Sequence, residues 1–268
     1  MIRKSRNERL GRFFTGLVDR RISLQTGLTP ITQFSDKDIF IAGYPKSGNT
    51  WFQNLITGIY FGVDPDLAPD TLIQELVPDI HFKKYYRRLE TPMFFKTHDL
   101  PRPEYKRVIY LVRDGRDVMV SYYHHQMAVR NGEVDFMAMV CEGEGLFPGK
   151  WHEHVRAWAA NPYDAEKIVI KYEDLKEDPL THLTRLCDFA HIDRDRAFLQ
   201  RVIDQTEFTK MQAKEKEGRI SSANKIWPPD KHFFRRGVVE SYRDEMPSDV
   251  LDAFLQDAGT LLGELGYA

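Results

Sequence analysis

Residues 39–52 read Ile39-Phe-Ile-Ala-Gly-Tyr-Pro-Lys-Ser-Gly-Asn-Thr-Trp-Phe52. The apolar residues that open this stretch are typical of a short buried strand, and turn-forming residues follow them. An apolar pattern with helical spacing then begins at Trp51. A strand, a tight loop and a helix in this order turn backbone N–H groups and the positive end of the helix toward an anion. Because Lys46 lies in the loop and Thr50 at the start of the helix, the stretch predicts a phosphate-binding loop.

The glycine spacing of this loop is that of the nucleoside triphosphate P-loop, but its lysine is displaced. Gly43 and Gly48 have the separation found in the G-x-x-x-x-G-K-[ST] motif. Asn49 stands where that motif has lysine, and Lys46 comes three residues earlier. We therefore expect a P-loop-like architecture with different chemistry. A purely structural turn is the alternative for a glycine-rich loop taken alone.

The composition is that of an ordinary globular protein. The 268 residues are 42% hydrophobic and 29% charged, with a formal net charge of −2. The near-neutral charge argues against a nucleic-acid partner. Cys141 and Cys187 are the two cysteines of the chain, and neither belongs to a CxxC motif or a histidine cluster. We therefore expect neither a disulfide scaffold nor a zinc site, but reduced thiols in a cytoplasmic enzyme.

We expect one domain over residues 1–268, with a basic amphipathic segment over 1–37 and an α/β catalytic core over 38–268. Residues 1–21 carry seven Lys and Arg residues against two acidic ones, and their apolar side chains have helical spacing. The apolar run is too short for a signal peptide or a membrane span. The helix either packs against its own domain or makes peripheral membrane contact through residues 1–24.

Three further apolar runs predict strands that end at polar residues. Residues 93–98 end at His98, residues 107–113 end at Arg113, and a third run leads to Tyr172. In an open sheet of parallel strands, ligands gather outside the carboxyl ends of the strands. The pattern therefore predicts a central parallel sheet flanked by helices, with these side chains on one rim. Taken singly, His98 could be a structural histidine and Arg113 half of a buried ion pair.

Two histidines, His152 and His154, suggest a metal pair at first sight. They lie two apart on a predicted helix, and side chains at that spacing point in nearly opposite directions. We therefore expect no metal site there.

The last third of the chain predicts a lid. Residues 212–232 carry many charges and two prolines without a clear period, which indicates a loop with little structure that closes over a ligand or is ordered by one. The adjacent Arg235 and Arg236 then suit phosphate binding, and a solvated charge pair is the alternative. An amphipathic helix from Ser248 onward closes the chain.

Together these stretches resemble the cytosolic-type sulfotransferases that use 3′-phosphoadenosine 5′-phosphosulfate (PAPS), and the likeness runs from about Asp38 to Arg243. The motifs that carry it are Tyr44-Pro-Lys-Ser-Gly-Asn-Thr-Trp51, Lys96-Thr-His-Asp-Leu-Pro101, Tyr110-Leu-Val-Arg-Asp-Gly-Arg-Asp-Val-Met-Val-Ser-Tyr-Tyr123, Gly149-Lys-Trp-His-Glu-His-Val-Arg-Ala-Trp158, Lys171-Tyr-Glu-Asp-Leu-Lys176, Thr206-Glu-Phe208 and Phe234-Arg-Arg-Gly237.

The resemblance implies transfer of a sulfuryl group from PAPS to a hydroxyl or amine of a small-molecule acceptor, with 3′,5′-adenosine bisphosphate as product and no metal. It makes His98 the general base, with Lys96 nearby, and it places Lys46 at the leaving phosphate. The other cofactor-binding residues that it implies are Ser47, Gly48, Asn49 and Thr50 at the 5′-phosphate, Arg113, Ser121, Arg235, Arg236 and Gly237 at the 3′-phosphate, and Trp51, Tyr172, Thr206 and Phe208 around the adenine.

The chain departs from the family pattern at several positions. Asn49 replaces a threonine, and Arg236 replaces a lysine. The dimerisation motif of some members is not recognisable after Arg243, so the oligomeric state stays open. The acceptor is expected to contact residues 64–90 and 126–148, where Phe, Tyr and Met suggest a partly apolar pocket. A phenol, sterol, lipid, sugar or other metabolite would suit such a pocket.

Two other functions begin from the same strand, loop and helix. A nucleoside or nucleotide kinase would have a lysine at position 49 and would require Mg²⁺. A nucleotide-binding scaffold without catalysis would leave His98 without a role, and substitution of His98 would leave its function intact.

Overall fold

The computed structural model describes residues 15–130, 132–220 and 232–267. The strands of its main sheet are β2 (Ile39–Gly43), β4 (Phe94–Thr97), β5 (Arg107–Val112) and β6 (Glu166–Lys171). They are parallel and stand in the order β4-β2-β5-β6. The two-residue strands β1 (Thr29–Pro30) and β3 (Tyr85–Tyr86) form a separate antiparallel pair. The predicted central parallel sheet is confirmed.

Helices cover both faces of this sheet. The helices are α1 (residues 15–26), α2 (Asn49–Phe61), α3 (Asp70–Leu76), α4 (Gly115–Val129), α5 (Phe136–Glu142), α6 (Trp151–Ala160), α7 (Tyr172–Glu177), α8 (Pro179–Ala190), α9 (Arg196–Gln205), α10 (Phe208–Lys216), α11 (Tyr242–Glu245) and α12 (Ser248–Glu264).

Strand β2 divides the core into two apolar layers. Side chains alternate between the faces of a strand. Phe40 and Ala42 therefore lie in one layer, together with residues of α4, α5, α6 and α12. Ile39 and Ile41 lie in the other layer, together with residues of α2, α8 and α9. Burial on both faces explains why the strand reads as an unbroken apolar run.

The strand register brings the predicted site residues to one edge. Ala42 pairs with Thr97 of β4 on one side and with Tyr110 of β5 on the other. The residues that follow these strands therefore leave the sheet side by side. His98 and Arg113 stand on either side of the loop that begins after Gly43.

The expectation that residues 212–232 have little structure is wrong for their first part. Helix α10 continues to Lys216. Two of its charged side chains, Lys214 and Glu215, are buried rather than solvated. Lys214 Nζ donates to Asn54 Oδ1 at 2.8 Å and to the Pro65 carbonyl at 2.7 Å, which satisfies the buried charge. Residues 221–231 lie outside the described residues.

The N-terminal segment is described only from residue 15, so most of its predicted apolar face lies outside the described residues. Leu17 and Val18 of α1 are 50% and 55% exposed, so about half of the surface of each residue is covered. Asp19 on α1 accepts a hydrogen bond from Tyr85 Oη at 2.7 Å. Across the described ranges, no helix combines the length and the hydropathy that crossing a bilayer requires.

Candidate active site

A cavity of about 610 Å³ lies at the carboxyl edge of the sheet. All but one of the predicted site residues line it: Lys46, Gly48, Asn49, Thr50, Trp51, Lys96, His98, Arg113, Ser121, Tyr172, Thr206, Phe208, Arg235, Arg236 and Gly237. The exception is Ser47, whose side chain is buried in the loop. The Ser47 amide donates to the Tyr44 carbonyl at 3.2 Å.

The loop after β2 is held in a strained conformation by its own side chains. Lys46 has φ of 72° and Gly48 has φ of 91°, both in the left-handed region. A lysine adopts this region at some energetic cost, and such residues often occur at functional sites. Asn49 Nδ2 donates to the Tyr44 carbonyl at 2.9 Å, so this side chain ties the loop together from the inside.

Aromatic side chains form a flat-walled recess beside the loop. The Trp51 and Tyr172 rings meet edge to face with centroids 5.8 Å apart, and Trp51 Nε1 donates to the Thr206 carbonyl at 2.9 Å. A Cβ atom at Gly237 would come within 2.4 Å of the Phe208 ring, so the backbone lies directly against that ring. The recess has the shape and polarity that suit a planar heterocycle.

The imidazole of His98 presents one defined nitrogen to the cavity. Its Nδ1 lies 2.8 Å from the Gly43 carbonyl oxygen, which only accepts hydrogen bonds, so Nδ1 carries the proton. In the neutral ring Nε2 then holds a free lone pair. Burial, together with the charge of Lys96, holds the pKa of His98 well below its usual value. At neutral pH the ring is therefore an uncharged proton acceptor.

Two lysines bring positive charge to the same place. Lys96 Nζ lies 2.9 Å from Oδ2 of the buried Asp79, so it is held as half of an ion pair. Lys46 Nζ lies over the Phe233 ring, 4.4 Å from its centroid. Burial, with the nearby charges of Arg113 and Lys96, lowers the pKa of Lys46 to about 7. An anion at this position would favour the charged form of Lys46 again.

Arg113 joins the loop to the C-terminal part of the site. Its guanidinium donates to the Lys46 and Val238 carbonyls, each at 3.2 Å, and lies 4.5 Å from the Tyr172 ring centroid. Asp117 Oδ2 is 3.5 Å from Arg113 Nη2. The ion pair that sequence left as an alternative is therefore present. Arg113 nevertheless also lines the cavity, as does Ser121 two turns along α4.

Arg235 and Arg236 both reach the carboxylate of Glu245. Arg236 Nη1 donates to Oε1 at 2.9 Å, and Arg235 Nη1 donates to Oε2. His124 Nε2 lies 3.0 Å from the same Oε2 atom. The two arginines are therefore not merely a solvated charge pair.

None of the following lining residues was singled out from sequence: His81, Phe82, Val129 and Phe147, which fall within the expected acceptor stretches 64–90 and 126–148, and Tyr122, His125, Lys176 and Ser241, which fall outside them. Two of them had a usable signal. His125 lies four residues after Ser121 on α4, and Lys176 lies four residues after Tyr172 on α7, so each shares a helix face with a predicted residue. Phe82 and Phe147 come from loops, where no periodicity indicates direction.

Both ring nitrogens of His154 on α6 are engaged by protein groups. His154 is buried, with Nε2 3.2 Å from the Asp99 carbonyl and Nδ1 3.1 Å from Tyr110 Oη. Within residues 15–130, 132–220 and 232–267, no group of three or more His, Cys, Asp or Glu side chains is arranged to hold a metal ion.

The arrangement suits two ligands that meet at His98. Cationic side chains and backbone amides surround one part of the cavity, and aromatic rings form its walls. Phe82 and Phe147 also line the cavity, and the Phe147 ring lies edge to face with His81, with the centroids 5.3 Å apart. A phosphate-bearing planar ligand fits the first part, and His98 Nε2 is placed to take a proton from a second ligand.

Comparison with known proteins identifies the family. Residues 36–266 match the family model described as the sulfotransferase domain. Mouse sulfotransferase 1E1 is 24% identical over 274 residues, which cover 92% of this chain and 90% of that protein. Luciferin sulfotransferase of Photinus pyralis is 26% identical over 261 residues, with 83% of this chain and 70% of that protein covered.

Two solved structures have a similar fold. Mouse sulfotransferase SULT7A1 complexed with PAP has a TM-score of 0.63 at 20% identity, with 88% of this chain and 91% of that chain covered. Retinol dehydratase in complex with androsterone and the inactive cofactor PAP has a TM-score of 0.65 at 22% identity, with 86% and 82% covered.

Proposed function

The chain belongs to the sulfotransferase family, and from this premise we propose that it transfers a sulfuryl group from PAPS to a hydroxyl or amine of a small-molecule acceptor. The observation that carries the proposal is that the P-loop-like loop, His98 and the three arginines 113, 235 and 236 line one cavity although they lie far apart in sequence. Solved relatives of similar fold are complexes with PAP, the product that this reaction would leave.

The residues present fit a nucleotide with two phosphate-bearing ends. Arg113, which lines the cavity, has a buried Nε donor with no hydrogen-bond partner within the described ranges. The loop also has a residue without a side chain, Gly48, where a ligand would need to approach the backbone. A Cβ atom at Gly48 would come within 2.8 Å of Tyr172, so a side chain at this position would crowd the recess.

Each side chain then has a defined task. PAPS, when bound, supplies the activated sulfuryl group. His98 Nε2 takes the proton from the acceptor as the acceptor oxygen or nitrogen attacks, and the Gly43 carbonyl keeps the ring oriented through Nδ1. Lys46 stabilises the negative charge that develops toward the leaving phosphate, an electrostatic role that needs no rearrangement during the reaction. Lys96, held by Asp79, adds to the same positive field.

The acceptor would occupy the part of the cavity near Phe82 and Phe147. Phe82 and Phe147 belong to the two stretches in which we expected acceptor contacts, and both line the cavity. They are also 72% and 48% exposed, so they lie at its mouth. Retinol dehydratase binds androsterone and retinol in its solved complexes. For this chain we propose an acceptor with an apolar body, and radiolabelled PAPS tested against a broad acceptor panel would identify it.

The decisive experiment compares two nucleotides by calorimetry. Hydrogen bonds to a charged group contribute roughly 1.5–3 kcal/mol each, or about 10- to 150-fold in affinity. Several such bonds at a 3′-phosphate should make 3′,5′-adenosine bisphosphate bind at least ~100-fold more tightly than 5′-AMP. Arg113→Ala should remove most of this preference. Because Arg113 also donates to the Lys46 carbonyl and lies over the Tyr172 ring, the measured quantity is the ratio of the two affinities and not the affinity for 5′-AMP alone. Equal binding of both nucleotides to the wild type would refute the proposal.

A kinase is not favoured, because the family is that of the sulfotransferases and Asn49 stands where a P-loop has its lysine. A nucleotide-binding scaffold remains distinguishable by experiment, since it predicts that substitution of His98 changes nothing.

A cytoplasmic location, the absence of a nucleic-acid partner and membrane contact through residues 1–24 all stay predictions. The oligomeric state stays open.

A further inference from the structure

One carboxylate holds the two adjacent arginines of the site. Arg235 and Arg236 both line the cavity, whereas Glu245 does not. Each arginine uses one Nη1 group on a different oxygen of Glu245, and the Arg236 bond is 2.9 Å long. The side chain of Glu245 is 16% exposed, so the pairs are only partly open to water.

The carboxylate organises the arginines without using up their hydrogen-bonding capacity. Two neighbouring guanidinium groups repel each other, and a negative charge between them offsets that repulsion. A guanidinium has five N–H donors, and the bond to Glu245 occupies one donor of each arginine. The remaining donors are left for an anion in the cavity.

Glu245 is itself held in place by the element that carries the rest of the anion site. The Glu240 and Tyr242 amides donate to Asp117 at 2.9 and 3.0 Å, and Ser241 Oγ donates to the same carboxylate at 3.2 Å. Asp117 is fully buried on α4 and also contacts Arg113. Helix α11, which ends at Glu245, is therefore fixed to the helix that bears Ser121.

A second contact ties Glu245 to that helix. His124 Nε2 of α4 lies 3.0 Å from Oε2 of Glu245. Glu245 thus joins two parts of the anion site that are more than a hundred residues apart in sequence. On one side are Arg113 and Ser121, and on the other are Arg235 and Arg236.

We propose that Glu245 is a positioning residue for the anion site: it orients Arg235 and Arg236 so that their remaining donors face a 3′-phosphate. This inference rests on the proposed function, because the anion in question is the 3′-phosphate of PAPS. It differs from a competitive role, in which the carboxylate would occupy the place of the phosphate and weaken nucleotide binding.

The test measures the preference for a 3′-phosphate in Glu245→Gln, which keeps the size of the side chain and removes its charge. Calorimetry with 3′,5′-adenosine bisphosphate and with 5′-AMP gives the ratio of the two affinities. We expect this ratio to fall about 10-fold or more relative to the wild type, the size of one charged hydrogen bond. The affinity for 5′-AMP, which lacks the 3′-phosphate, should not change.

Glu240→Gln is the matched control. Glu240 lies five residues earlier and forms an exposed ion pair with Arg243 at 2.9 Å. Its substitution removes the same charge from the same segment without touching Arg235 or Arg236, so the ratio should stay at the wild-type value. Should Glu245→Gln not fold, Glu245→Asp is measured instead. Its side chain is one methylene shorter, which draws the carboxylate away from both arginines, so we expect the ratio to fall there as well.

The outcomes separate the two hypotheses. A wild type that prefers the 3′-phosphate and a Glu245→Gln variant that keeps the full preference would overturn the positioning role alone. A variant that binds 3′,5′-adenosine bisphosphate more tightly would also overturn it and would make Glu245 a competitor of the phosphate. Equal binding of both nucleotides to the wild type would overturn the proposed function and this inference together.

Discussion

The Nδ1–H group of His98 donates a hydrogen bond to the Gly43 carbonyl. The lone pair on Nε2 is therefore available to accept a proton. His98→Asn removes that lone pair while retaining a polar side chain. Turnover should fall by roughly 10²–10⁴-fold, the usual contribution of general acid–base catalysis. The affinity for 3′,5′-adenosine bisphosphate should stay near that of the wild type. Steady-state rates and calorimetry on the same preparations check this, and near-native turnover at neutral pH would show that His98 is not the base.

Lys46 gives a prediction about pH. Its pKa is lowered to about 7, so in the free enzyme the ammonium group is present below that pH and is lost as pH rises through it. Because kcat/KM reports the free enzyme, it should decline above about pH 7. An arginine stays charged throughout this range, so Lys46→Arg should lose this alkaline decline, at a lower overall rate. The same decline in both proteins would assign it to another group.

Some side chains of the site could be predicted from local pattern, and others could not. Lys46 and His98 stand directly after apolar strands, in motifs that resemble a known family. Asp79 and Glu245 have no such context, because a carboxylate is informative only when its distant partner is known. Ser47 was predicted from its place in the loop, but direction within a tight turn depends on backbone angles that residue types do not specify.

At the scale of the element, the glycines at the two ends of α2 allow a controlled comparison of two substitutions. Gly48 and Gly62 flank this helix with φ of 91° and 69°. Alanine in the left-handed region costs about 1–2 kcal/mol, so Gly48→Ala and Gly62→Ala should both destabilise the fold. A Cβ atom at Gly48 would also meet Tyr172 at 2.8 Å, whereas nothing lies within 4 Å at Gly62. Only Gly48→Ala should therefore weaken nucleotide binding.

Denaturant unfolding and calorimetry on both glycine variants check this prediction. Equal losses of nucleotide affinity would mean that the effect comes from general destabilisation. An unchanged affinity in Gly48→Ala would mean that the loop does not contact the nucleotide as proposed.

Whether a strand or helix could be predicted from sequence depends on whether the residues that stabilise it lie nearby in the chain or far away. The four strands of the main sheet could be predicted because burial on both faces leaves an apolar run in the sequence itself. Helix α10 could not, because its buried charges are satisfied by residues such as Asn54, which lies 160 positions from Lys214. A charged side chain with a distant partner has the same local pattern as one in water.

For the whole molecule, we expect full activity without divalent metal. Lys46, Lys96 and the arginines already bring positive charge to the cavity, the part that Mg²⁺ plays for a kinase. Turnover in excess EDTA should therefore match turnover without it. A Mg²⁺-dependent kinase is assayed in the same buffer as a control. Its loss of activity shows that the EDTA has bound all of the divalent metal. Restoration of activity only by added Mg²⁺ would favour kinase chemistry.

The fold class and the family could be predicted, but the arrangement of the sheet could not. A parallel sheet flanked by helices follows from the alternation of strands and helices, and the match over residues 36–266 confirms the predicted sulfotransferase family. The strand order β4-β2-β5-β6 is set by packing between elements that are distant in sequence. The single domain over residues 1–268, with its N-terminal segment ending at residue 37, stays a prediction.

The wall of the nucleotide recess also contains a chromophore. Trp51 lines the cavity at the edge of Tyr172, whereas Trp151 and Trp158 are 1% exposed and are not among the lining residues. The fourth tryptophan, Trp227, lies outside the described residues. In a Trp227→Phe variant, a heterocycle that stacks there would quench the emission of Trp51 and leave that of Trp151 and Trp158 as a constant background. Intrinsic fluorescence could then follow the arrival and departure of nucleotide in real time, with no dye attached and no acceptor identified.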